Sequence, residues 1–163
     1  MNITILYGGT STEQKISIKT GLAIAEAIKD RYNLDMINLN SEFYNSPHLL
    51  LDADLVFNAL HGGDGENGSI QSFMDLHHIP YTGSGAKACK IAMDKNITKL
   101  IAKSIGIPTP NWVLLKRNEN NGMHLQDNNS LKFTYPYVVK PADEGSTFGL
   151  TIIREESELE NAI

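Results

Sequence analysis

Short apolar runs, each closed by a glycine turn, alternate in the first half of the chain with stretches whose apolar positions recur every three or four residues. Met1 to Tyr7 reads as a strand that runs straight into Gly8-Gly9-Thr10-Ser11-Thr12-Glu13-Gln14-Lys15. Ile18, Leu22, Ala25 and Ile28 then mark a helix, with Ser17 as its expected cap. Leu34 to Leu39 predicts a second strand, Ser41 to Asp54 an irregular or short helical crossover, and Leu55 to Leu60 a third, buried strand. Ile70, Phe73, Met74 and Leu76 predict a short amphipathic helix, and Pro80-Tyr81 a short strand before another glycine turn. This β-α-β rhythm is that of an α/β fold with an open parallel sheet, Rossmann-like in plan.

Beyond it the pattern changes. Ala86 to Ala92, then Ile97, Leu100, Ile101 and Ile105, read as helical, ending at Gly106 with Pro108 beyond. Pro108-Thr109-Pro110 is a stiff connector, so the expected partition is a domain over 1–94, a linker helix over 95–107 and a second, α+β domain over 108–163. Trp112 to Leu115 should open a second sheet. The polar stretch from Arg117 to Ser130, with His124 in it, should be an exposed loop. Tyr137 to Val139, aromatic and β-branched, predicts a buried strand, and Pro141 denies it a donor for continuing past Lys140. Ser157-Glu158-Leu159-Glu160 has the form of a capping box, yet the chain stops three residues later, so the second domain is expected to be incomplete.

Composition narrows the class. With 41% apolar residues in 163, the chain can bury a core. Net charge is −5, and no element gathers lysine and arginine, which argues against nucleic acid as a partner. Cys89 is the only cysteine, which forbids an intrachain disulfide and fits a reducing compartment. The apolar run at the N-terminus lacks a basic leader and is too short for a membrane span; a cytoplasmic protein with no membrane partner is expected.

Two loops carry the candidate chemistry. His61-Gly62-Gly63-Asp64-Gly65-Glu66-Asn67-Gly68 leaves the expected third strand at the sheet edge where ligands of open α/β sheets sit. Taken alone, His61 would more often be structural than functional. Glu144-Gly145-Ser146-Thr147-Phe148-Gly149 follows Lys140 and offers hydroxyls and backbone N–H groups to an anion, with an ammonium beside them. Lys95, at an expected helix start, is a second cation that could face a cleft. His48, His77 and His78 have no metal-ligand spacing, and no G-x-G-x-x-G is present, so neither a protein-held metal nor a dinucleotide is expected.

Laid side by side, these loops resemble the D-alanine–D-alanine ligases of the ATP-grasp superfamily. The resemblance rests on six ordered blocks: Leu6 to Glu13, Phe57 to Gly62 with Gly65 to Gly68, Pro80 to Gly85, Ala92 to Lys95, Gly106 to Pro110, and Val138 to Pro141 with Glu144 to Gly149. It implies an enzyme that phosphorylates the carboxylate of one D-alanine with ATP and lets the amine of a second attack the acyl phosphate. It further implies that Glu13 holds the first D-alanine's ammonium, that His61 lies near the substrate carboxylate, and that Ser146 anchors the substrate side and links to Glu13. By the same resemblance Lys95 and Lys140 contact phosphates, and Glu144, Gly145, Ser146 and Thr147 lie against the nucleotide. Gln14 and Lys15 stand where many members have arginine and glutamate, and Thr147 replaces a usual serine. The family's lid loop, its phosphoryl-stabilising arginine and its magnesium ligands have no counterpart in these residues. The expectation is therefore an N-terminal portion inactive by itself, forming a homodimer through its first domain or pairing with a separate C-terminal half. A non-catalytic, split or truncated paralogue that binds D-alanine or nucleotide is the alternative.

Overall fold

A computed structural model of the chain describes residues 1–40, 43, 47–117, 123–125 and 133–162. These fall into two compact units, Met1–Met93 and Asp94–Ile163.

The first unit is built on β1 (Asn2–Gly8), α1 (Gln14–Ile28), β2 (Asn33–Leu39), β3 (Leu55–Asn58), α2 (Ser69–Leu76) and α3 (Ala86–Met93). The strands form a parallel sheet in the order β2-β1-β3. Its central strand is buried on both faces, as the unbroken apolar run requires. Ile3 and Ile5 pack toward Ile24, Ala25 and Ile28 of α1. Leu6 joins Val56, Leu60, Ile70 and Met74 in a second cluster that takes in α2. Beyond β3, the expected fourth strand reduces to a single parallel bridge, Val56 to Tyr81. β3 stops two residues short of Leu60 because the Asn58 side chain takes over: its amide oxygen accepts from Leu60 N and its Nδ2 donates to Gly65 O.

Two sequence expectations about α1 and α2 are corrected. Ser17 is not a cap. It lies inside α1, fully buried, accepting from Gly8 N at 2.8 Å and donating to Ala59 O at 2.8 Å. The buried stripe of α1 accordingly runs through Ser17 and Gly21, and Leu22 faces outward. Gly21 is required there, since a Cβ would come within 2.6 Å of Tyr7 Cβ. On α2, Gln71 rather than Leu76 completes the buried face.

In the second unit, α4 (Lys95–Ser104) is capped by Asp94, whose carboxylate accepts from Asn96 N and Ile97 N. The helix ends at Gly106, where Ile107 N returns to Ala102 O. Lys99 then straps the following connector down: its ammonium donates to Thr109 Oγ1 and Pro110 O and lies 5.1 Å from the Trp112 ring centre. Burial first, and then the charge of Lys140, push the Lys99 pKa down. β4 (Leu115–Arg117) pairs with β5 (Met123–Leu125), and β6 (Tyr137–Val139) with β7 (Thr151–Ile153), both antiparallel. Trp112 precedes β4 instead of opening it, held by its indole N–H on Asn96 Oδ1. β5 sits in the stretch expected to be all loop; the exposure expected of His124 falls outside the described side chains. β6 is not a buried strand, because Val138 is half-exposed opposite an equally half-exposed Ile152. The capping box does not form either. Ser157 donates to Glu155 within a 3-10 turn that precedes α5 (Leu159–Ala162). Among the described residues no helix is long and apolar enough to cross a membrane.

Candidate functional site

Parallel pairing of β1 with β3 puts the loops that leave their C-terminal ends side by side. Three hydroxyl-mediated ties then fasten one loop to the other. Ser17 joins Gly8 N to Ala59 O, as described. Ser11 Oγ donates to His61 O at 2.6 Å and accepts from Glu13 N at 3.2 Å. Thr20 Oγ1 lies 3.0 Å from His61 Nε2. Spacing along the chain signals none of these three ties, since each hydroxyl reaches a partner 41 to 50 residues away.

Glu13 occupies the N-cap position of α1, its carbonyl accepting from Ile16 N and Ser17 N. The residue is buried, 8% exposed. The carboxylate rests against Gly62, whose φ of 65° and ψ of 179° belong to a region that side chains avoid. A Cβ at Gly62 would come within 3.1 Å of Glu13 Oε2. Glycine here keeps the backbone in shape and leaves the carboxylate its room.

Glu13, His61 and Glu66 come together: each offers a ligand atom, all within 4.8 Å of one another. His61 Nδ1 is 4.0 Å from Glu66 Oε1. A cluster of two carboxylates and an imidazole favours a small group carrying positive charge and several donors. Glu66 was not among the residues expected to act; its only signal in the sequence is its place in the glycine-rich loop. That loop is itself anchored. Gly65 O accepts from Asn58 Nδ2 at 3.0 Å and from Gln71 Nε2 at 2.6 Å. Gln71 Oε1 stays buried with no protein partner.

The second unit carries the other candidates. β6 ends at Val139, the exposed Lys140 follows it, and the chain turns through residues 146–149 before β7. Ser146 holds a left-handed φ of 53°, an uncommon conformation for a residue with a Cβ. Gly149 closes the turn so tightly that a Cβ would meet Pro141 Cγ at 2.7 Å. Lys95 N donates to Ala142 O at 2.9 Å. The Lys95 ammonium is directed onto the carbonyls of Ala142 and Glu144, so it fastens the start of this loop to α4. Gly145 and Thr147 follow in the same loop, with Thr147 O accepting from Leu150 N. What the second unit offers is a cationic, hydroxyl-bearing turn suited to an anion.

Comparison with known proteins matches two family models: "D-ala D-ala ligase N-terminus" over residues 42–84 and "D-ala D-ala ligase C-terminus" over residues 101–163, together more than half of the chain. A D-alanine--D-alanine ligase of Coprothermobacter proteolyticus is 41% identical over 167 residues, an alignment that takes in 100% of this chain and 53% of the relative. Among solved structures, the D-alanine--D-alanine ligase of Bacillus anthracis superposes with a TM-score of 0.80 at 34% identity, covering 99% of this chain and 52% of that one. A structure of that ligase complexed with ATP gives 0.78 at 34% identity, covering 99% of this chain and 53% of that one. The chain thus spans about half the length of the relatives it matches.

Proposed function

The chain belongs to the D-alanine–D-alanine ligase family, and from that premise we propose that it forms the amino-acid site and part of the nucleotide site of an ATP-dependent ligase joining two D-alanines. The observation that carries the reading is buried Glu13, whose carboxylate lies within 4.8 Å of ligand atoms of His61 and Glu66. A buried carboxylate is costly unless a cation answers it. An amino acid's ammonium supplies that cation, and its carboxylate takes a donor from His61. In the second unit, Lys140 and Lys95 hold phosphate oxygens, and the turn from Glu144 to Thr147, with Ser146 at its left-handed corner, lies along the nucleotide. Cations placed before the reaction are what phosphoryl transfer to a carboxylate chiefly needs.

Magnesium belongs to this reading only as a companion of ATP. The Glu13, His61 and Glu66 group does not suit it, because Mg²⁺ asks for near-octahedral oxygen and an imidazole is a poor match. Homodimerisation through the first unit is part of the same proposal, as is a cytoplasmic location.

Calorimetric titration of the chain with D-alanine and with ATP tests the assignment. Glu13→Gln should weaken D-alanine binding roughly 10- to 100-fold, the scale of a lost hydrogen bond to a charged group, and leave ATP binding unchanged. Lys140→Ala should do the converse. Equal losses of both ligands in both variants would remove the substrate assignment. Formation of D-alanyl-D-alanine at a normal rate by these residues alone would overturn the view that they supply only part of the machinery.

A further inference from the structure

His61 is gripped at both ends. Its carbonyl takes the Ser11 hydroxyl at 2.6 Å, which fixes where the residue sits, and its Nε2 lies 3.0 Å from Thr20 Oγ1, which fixes the rotation of the ring. Thr20 stands three residues after Ser17, so both project from one side of α1. Ser17 in turn ties that side of the helix to the ends of β1 and β3. The hydroxyl that meets the ring is therefore mounted on the same support as the strands that deliver Glu13 and His61. The other ring nitrogen, Nδ1, faces Glu66 at 4.0 Å.

We propose that Thr20 is a positioning residue for His61, donating its hydroxyl proton to Nε2 so that the neutral ring carries its hydrogen on Nδ1, on the side that faces Glu66. The electrostatics select this arrangement over its mirror. A bare Nδ1 would set a lone pair against a carboxylate, whereas Nδ1–H is drawn toward it. An N–H held there is also the donor that an entering substrate carboxylate requires once the ammonium is on Glu13. The inference rests on the amino-acid reading above and names the residue that prepares His61 for it.

The test pairs Thr20→Val, which keeps shape and loses the hydroxyl, with Thr20→Ser, which keeps the hydroxyl. In the unmodified chain, the two ring nitrogens of His61 should give separate ¹⁵N resonances of a single tautomer protonated at Nδ1. Thr20→Val should bring those resonances toward the average of two exchanging tautomers and weaken D-alanine binding about tenfold with ATP binding unchanged, while Thr20→Ser restores both readouts. Averaged resonances in the unmodified chain, or protonation at Nε2, overturn the proposal even if the valine variant fails to fold. So does a valine variant with D-alanine affinity within twofold of the original, or a serine variant as impaired as the valine one, which would assign the effect to packing. If Glu13→Gln leaves D-alanine binding intact while Thr20→Val still changes the His61 spectrum, the amino-acid reading fails and the tether stands.

Discussion

Ser17 shows what one buried hydroxyl can decide. It supplies an acceptor to Gly8 N and a donor to Ala59 O, two backbone groups at strand ends that the sheet ladder does not pair with each other. Ser17→Ala should leave both without that partner in a buried place and cost about 1–3 kcal/mol of stability, read as a lower urea midpoint at unchanged slope. In the sequence this residue passed for a cap because serine before an apolar helical stripe commonly is one. Glu13 and His61 were legible as candidates from their blocks of neighbours. Ser11, Thr20 and Glu66 were not, since their partners lie in a different loop or a different element and a single sequence carries no record of such contacts.

At the level of elements, the three strands of the parallel sheet were legible to within two residues at their ends, because continuous apolar runs closed by glycines have few other readings. The second unit was not. Its strands are three residues long and lie in two-stranded sheets, where alternation has no room to declare itself, so β5 went unseen and Trp112 was drawn into β4. The junction of the sheet edge with α2 yields a pH dependence. Tyr81 donates to Asp75 Oδ1 at 2.8 Å, and burial first, then that hydrogen bond, push its pKa from 10.0 to about 12. A pKa raised by folding means the native state keeps the proton longer than the unfolded chain does. The associated stability is complete below pH 10.0 and is lost as pH rises through about 12. Denaturant melts across that window should show the decline, and Tyr81→Phe should remove this component of it.

The whole molecule divides its candidate residues cleanly. Glu13, Thr20, His61 and Glu66 belong to Met1–Met93, while Lys95, Lys140 and Glu144 to Thr147 belong to Asp94–Ile163. If each proposed ligand binds the unit that carries its residues, scanning calorimetry should resolve that division. Saturating D-alanine should raise the transition of the first unit, ATP that of the second, each by the mass-action amount of about 2.7 kcal/mol at one hundred times Kd. A single transition moved equally by either ligand would contradict it.

One carbonyl oxygen has a consequence of its own. Because Gly65 O is claimed at once by Asn58 from the strand and by Gln71 from the helix, the glycine-rich segment around it inherits the stillness of the sheet despite a composition that suggests slackness. Nuclear relaxation of its amide should report an order parameter near 0.85, the figure for rigid backbone, and deleting the Gln71 amide as Gln71→Leu should lower it. Four glycines in this turn would then serve shape, with motion withheld.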